Sequence, residues 1–198
     1  MSTFNPALFR KSWRTTVYLS EQWRGGDEGL LQLAGLYNLA DLYLVRAPVS
    51  DAGMRTLGGI GSLESLYLVE TPVTDAGLES LAALKELIYL RLEGAAGDEF
   101  TDHGLAHLTG LPKLRKLTLY GTGFTDQAVK PLEMSTALEE LTVLDTQISA
   151  AALQSLAASR KAASSARQPL AADRSPPPDA ARPRPFTFQQ NPPPVFVD

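Results

Sequence analysis

The sequence predicts an α/β solenoid of about six turns, with short parallel strands in one sheet and short helices in the opposite layer. Three observations predict it. Five aspartates, Asp27, Asp51, Asp75, Asp102 and Asp126, are spaced 24, 24, 27 and 24 residues apart. Leucines recur with the same period in the spacing LxxLxL, whose last two members alternate as in a half-buried strand. Each leucine cluster is followed by a Ser or Thr, then by apolar residues three apart, the spacing of one helical stripe.

In chain order, residues 1–12 are expected to form an N-terminal cap. Asn5 and Pro6 suit the cap and first position of a short helix. An irregular first copy runs from Trp13 to Gly35, with Val17 and Leu19 as its inward strand residues. The next copies read LYNLADLYLVRAPVSDAGMRTLGG, IGSLESLYLVETPVTDAGLESLAA, LKELIYLRLEGAAGDEFTDHGLAHLTG, LPKLRKLTLYGTGFTDQAVKPLEM and STALEELTVLDTQISAAALQSLAAS. In these five, the three inward strand positions are Leu in 14 of 15 cases, the exception being Val143. Ser50, Thr74, Thr101, Thr125 and Ser149 stand where a helix cap is needed. The Asp that follows Ser50, Thr74, Thr101 or Thr125 lies in the first helical turn and suits the helix dipole. Gly29, Gly53, Gly77 and Gly104, two residues after an Asp, suit a close helix–sheet approach or a tight turn. Three extra residues near Gly94–Phe100 are expected to loop out without breaking the stack. From Ser149 an Ala-rich run is expected to form a longer capping helix, about residues 149–167, before Pro169.

The pattern LxxLxLxxT followed by Thr/Ser-Asp-x-Gly-Leu-xx-Leu resembles the leucine-rich repeat family, in its bacterial and cysteine-containing varieties. Ala47, Thr71, Thr122 and Thr146 stand where those varieties often place Asn or Cys. The resemblance covers about residues 13–159. It implies a right-handed horseshoe arc, with the parallel sheet concave and the helices convex, and a protein-binding role. Packing agrees, since strands stack about 4.8 Å apart while helices need about 8–10 Å.

Composition divides the chain. All 15 glycines lie at or before Gly123, and nine of 14 prolines lie at or after Pro169. Twelve basic and nineteen acidic residues before Arg160 make −7, whereas six basic and three acidic from Arg160 on make +3. The repeat domain is therefore placed at 13–167. Residues 168–198 are read as a Pro-rich disordered tail that cannot offset its ordering entropy by burial. The acidic body argues against nucleic acid as a partner. No run approaches about 18 consecutive apolar residues, so no membrane-spanning helix is expected. The absence of cysteine excludes disulfides and thiol chemistry. The first 30 residues lack an apolar core of a secretory signal, so a cytoplasmic location is expected.

Chemistry-bearing motifs are sparse. His103 and His107 share one helix face, near Glu99 and Asp102, but fall at solvent-facing repeat positions. The Asp series is not read as a calcium ladder, because each Asp opens a separate helix. GTGFTD at Gly121–Asp126 and GGIG at Gly58–Gly61 belong to the repeat and lack a phosphate-loop pattern. No catalytic residue, cofactor or metal is expected.

The residues that the repeat does not dictate face the concave side. One column reads Tyr18, Tyr43, Tyr67, Arg91, Thr118, Thr142. The column beside it reads Ser20, Val45, Val69, Glu93, Tyr120, Leu144. On the other side stand Thr16, Asp41, Ser65, Tyr89, Lys116 and Glu140. A fourth column reads Glu21, Arg46, Glu70, Gly94, Gly121, Asp145. Adjacent tyrosines flanked by valines form a partly apolar patch of the kind that marks contact surfaces. The expected partner-binding residues are Tyr18, Tyr43, Val45, Arg46, Tyr67, Val69, Glu70, Tyr89, Arg91, Lys116 and Tyr120. The same residues also suit a sheet that merely stabilises itself, with Glu21, Arg46 and Glu70 pairing by charge. The expectation is a monomeric, non-enzymatic module that binds a protein or peptide. The alternatives are a metal-binding or enzymatic protein using the His103/His107 region, or a structural spacer. For the tail, the alternatives are a docking motif, a solvated extension, or packing of residues 186–188 or 195–197 on the last copy.

Overall fold

The computed structural model describes residues 14–94 and 99–163, with side chains to 159. The expected N-terminal cap, residues 95–98 of the expected excursion, and the Pro-rich tail lie outside the described residues. Six strands form one parallel sheet in sequence order: β1 (Thr15–Leu19), β2 (Leu39–Val45), β3 (Ser65–Val69), β4 (Tyr89–Glu93), β5 (Lys116–Tyr120) and β6 (Glu140–Leu144). Between and after them run α1 (Gly26–Ala34), α2 (Asp51–Leu57), α3 (Asp75–Leu78), α4 (Asp102–Leu105), α5 (Val129–Met134) and α6 (Ala150–Ala163). This is the α/β solenoid of six parallel strands with interleaved helices that the sequence predicts. The helical layer is tighter than a row of α-helices. Glu79–Ala83, Ala106–Leu108 and Asp126–Ala128 are 3₁₀ turns, which keep these connections short.

The core is one continuous column of stacked copies. All fourteen of the strand leucines are buried, and Val143 packs partly buried against them. A second layer comes from Val49, Val73, Phe100, Phe124 and Ile148, all buried, one per copy. The helical stripe supplies Met54, Leu57, Leu78, Leu81, Leu105, Leu108 and Leu132. Each copy alone would leave both sides of its leucine row in water; only stacking removes that surface. Within this core the Thr71 hydroxyl is buried with no hydrogen-bond partner.

The recurring aspartates do more than complement a helix dipole. The Asp27 carboxylate accepts from the Ser50 backbone N–H at 2.7 Å and from its hydroxyl at 2.6 Å. Asp51 holds Thr74, Asp75 holds Thr101, Asp102 holds Thr125 and Asp126 holds Ser149 in the same two-bond geometry. Each cap hydroxyl also accepts a helical N–H of its own copy, for example Ala76 N–H to Thr74 at 3.3 Å and His103 N–H to Thr101 at 3.2 Å. One carboxylate therefore ties each copy to the helix cap of the next. Ala150 occupies the Asp position of the last copy, where the longer α6 begins.

The same contact explains the glycines, and corrects the expected helix–sheet approach. A Cβ at Gly53, Gly77 or Gly104 would lie 2.5, 2.5 or 2.2 Å from the Oδ1 of Asp27, Asp51 or Asp75. The close neighbour is the preceding copy's carboxylate rather than the sheet. At Gly29 the obstacle is instead the Trp23 ring, 2.4 Å away.

Asp75→Ala should cost about 3 kcal/mol, two charge-assisted hydrogen bonds, measured by denaturant unfolding. Gly104→Ala should destabilise alone by about 1–3 kcal/mol and by less in the Asp75→Ala background, because its nearest obstacle, the carboxylate, is gone while Leu78 remains. Strict additivity in that cycle would contradict the contact. Thr71→Val should raise stability by about 1 kcal/mol by removing an unpaired buried hydroxyl.

Candidate interaction surface

The sheet register aligns the outward columns as the sequence predicts. Tyr18 pairs with Tyr43, Tyr43 with Tyr67, Tyr67 with Arg91, Arg91 with Thr118 and Thr118 with Thr142. The three extra residues before α4 leave this register intact, since Tyr89 pairs with Lys116 and Lys116 with Glu140. β1 and β2 shift register between Thr15 and Thr16, but from Thr16 onward parallel pairing in constant register turns a chemical choice made once per copy into a continuous row.

That row is a stack of rings. Tyr18 and Tyr43 have centroids 4.2 Å apart and planes 14° apart; Tyr43 and Tyr67 are 4.0 Å and 14° apart. Tyr89, from the neighbouring column, continues the stack beside Tyr67 at 4.8 Å and 35°. Its hydroxyl lies 3.2 Å from that of Thr118. The rings cover one another's faces, so the ridge offers edges and hydroxyls. Each such contact adds about 0.5–1.5 kcal/mol beyond burial. Val45 and Val69 lie half-buried along one flank. Tyr18, at 53% exposure, is the most open ring of the row.

Burial raises the Tyr18, Tyr43 and Tyr67 phenols above their ordinary value, and neighbouring phenols add to the rise at Tyr18 and Tyr43. Tyr120 is also raised, first by its hydrogen bond to the Asp145 carboxylate.

Charged groups border the ridge. Where the strands begin, Arg14 reaches Asp41 at 3.0 Å and also Glu64. Where they end, Arg46 reaches Glu70 at 2.6 Å and Glu21 at 3.7 Å. The pairing of Glu21, Arg46 and Glu70 is thus observed. Arg46 and Glu70 adopt left-handed backbone, with φ of 54° and 49°, as does Asp145 at 49°. In the same column Gly121 takes φ of 127°. The turn leaving each of these strands favours glycine, yet three copies carry a charged side chain there.

The remaining site residues sit differently from the ridge. Arg91 is largely buried, and its Nε and one terminal nitrogen both donate to a single Glu93 oxygen at 3.0 and 2.6 Å. Two residues apart on one strand, these side chains share a face and satisfy each other, so Arg91 is committed within the sheet rather than stacked on Tyr67. Lys116 is exposed and paired with Glu140 at 2.7 Å. Thr118 and Leu144, expected to be open, are buried. Arg14, Asp41 and Glu64 form a border that sequence reasoning did not single out as a binding feature. Arg14 lies just before its strand and bridges carboxylates of two other copies, which no local spacing reveals.

His103 and His107 are both exposed. His103 Nδ1 lies 3.4 Å from the Thr101 hydroxyl, and the ring lines a mostly apolar recess with Ala106, Lys130, Pro131 and Met134. Among the described residues no group of three His, Asp or Glu side chains could hold a metal ion. Among them, too, no helix is long and apolar enough to cross a membrane.

Among solved structures, the chain is similar to an internalin from Listeria monocytogenes, with a TM-score of 0.51 and 27% sequence identity. The likeness covers 72% of this chain and 36% of that one, so the chain spans little more than a third of that protein's length. No family model and no curated protein matches the chain. The likeness supports the repeat architecture.

Because burial raises the ladder phenols above about 10, their unfolded value, the stability they contribute is complete below pH 10. It is lost as pH rises through the folded pKa values. Ultraviolet phenolate titration should show part of the tyrosine signal appearing late. The unfolding midpoint should fall above about pH 10 more steeply in wild type than in Tyr43→Phe.

Proposed function

We propose that the chain is a non-enzymatic interaction module that binds a protein or peptide on its concave sheet face, centred on Tyr43 and Tyr67. The observation that carries the reading is the stacked ring row of Tyr18, Tyr43, Tyr67 and Tyr89, flanked by Val45 and Val69. Tyrosine combines a large rigid contact area with a polar tip, and such residues carry binding energy disproportionately. Arg46 and Glu70 at the strand exits and Lys116 and Tyr120 further along the sheet supply the polar rim of that surface. Arg91, tied to Glu93, acts by holding the sheet surface beside Tyr67. Retention of charge at left-handed positions, where glycine is easier, supports a use for the rim beyond folding. The likeness to an internalin supports the choice of an interaction module over an enzyme. A protein partner, a cytoplasmic setting and a monomeric state belong to this proposal.

Affinity capture with the full-length protein tests it. Tyr43→Ala/Tyr67→Ala should keep the fold, because the leucine core lies on the other side of the sheet, yet lose the partner held by wild type. Tyr43→Phe/Tyr67→Phe should retain most of the binding if ring area dominates. Full retention by the alanine variant would overturn the site. Specific zinc binding, by calorimetry, that is lost in His103→Ala would favour the metal-binding alternative.

A further inference from the structure

The tyrosine ridge is bordered on both sides by more carboxylate than cation. Arg14 is shared between Asp41 and Glu64, and Arg46 between Glu21 and Glu70. Each border thus sets one guanidinium against two carboxylates. The other ion pairs of the described residues are one to one: Arg91 with Glu93, Lys116 with Glu140, Arg115 with Glu139 and Lys113 with Glu86. The ring ridge is therefore flanked on each side by one carboxylate more than its cation. A ligand matched to it carries rigid apolar groups along its middle and a cation toward each side.

The chain contains such a segment. Residues 182–194, RPRPFTFQQNPPP, hold five prolines, two arginines and no acidic residue. Proline favours the polyproline II helix, with three residues per turn and about 9.3 Å per turn. Two ring spacings along the ridge, 4.2 and 4.0 Å or 4.0 and 4.8 Å, come close to one such turn. Residues three apart, Pro183 and Phe186, would then face alternate tyrosines. Arg182 and Arg184, on either side of Pro183, diverge from it by about 120° in opposite senses, one toward each border. Eighteen residues lie between Ala163, where α6 ends, and Arg182. Extended, they reach about 60 Å, well beyond the roughly 24 Å width of a six-stranded sheet.

We propose that residues 182–194 of this chain are a ligand of its own concave face, lying along Tyr18–Tyr89 with Pro183 and Phe186 on the rings. The proposal rests on the reading of that face as a peptide-binding surface. It makes an outside partner compete with the chain's own segment, so that binding includes a displacement step.

With no cysteine in the chain, Gln189→Cys accepts a single nitroxide label in the full-length protein. Paramagnetic broadening should erase the Tyr43 and Tyr67 ring signals and the Val45 and Val69 methyl signals. The methyls of Leu31 and Met134, exposed on the helical side, should be spared. The effect should not change on dilution, and should weaken with added salt and in Arg182→Ser/Arg184→Ser. No selective broadening would overturn the proposal. So would broadening centred on Leu141 and Leu144 of β6, or broadening that vanishes on dilution and so reports a second copy. Tyrosine-dependent capture of an outside partner without broadening would leave the face a binding surface and remove only its internal ligand. Broadening with tyrosine-independent capture would do the reverse.

Discussion

The carboxylate that each copy lends to the next is the contact on which the rest of this structure depends. Leucine burial drives the copies together, but it is non-directional and tolerates sliding. The two hydrogen bonds from a backbone N–H and a hydroxyl to one Asp are directional. They occur at all five junctions from Asp27–Ser50 to Asp126–Ser149. Because each cap hydroxyl also receives its own helix's N–H, capping and docking are one event. A helix forms where the previous copy holds its first turn. This suits segments as short as the four-residue α3 and α4, far below the length at which a helix is stable alone.

Close coupling on the helical side has a consequence on the outward face of the sheet. Copies stacked without slip give strands paired without slip, and a side chain chosen per copy becomes a column. The tyrosine ladder follows from register. So does its border, since Arg14 and Arg46 reach carboxylates in neighbouring copies. The sheet separates two layers: leucines on one side form the core, and tyrosines on the other form the ring row.

Much of this was legible in the sequence. The LxL alternation placed the inward and outward residues, and the constant period aligned the columns before any coordinates. What escaped were contacts that cross copies. Asp27 and Ser50 are 23 residues apart, and nothing local tells a dipole-complementing Asp from one that reaches forward to the next cap. The glycines were visible as a recurrence, but their cause lay in a neighbouring carboxylate. Arg91 looked available because its column lies on the outward face of the sheet, while Glu93, two residues on, satisfies it. The three extra residues before α4 leave β4 and β5 paired in register, as the sequence requires.

Native-state hydrogen exchange, resolved residue by residue, tests the central claim most directly. The amides of Ser50, Thr74, Thr101, Thr125 and Ser149 lie outside any strand ladder and would be open to solvent without the Asp contacts. The account predicts that all five are protected like the amides of β2–β5, and that Asp75→Ala strips protection from Thr101 first. Exchange of these five at the rate of exposed loops, with the sheet still protected, would contradict it.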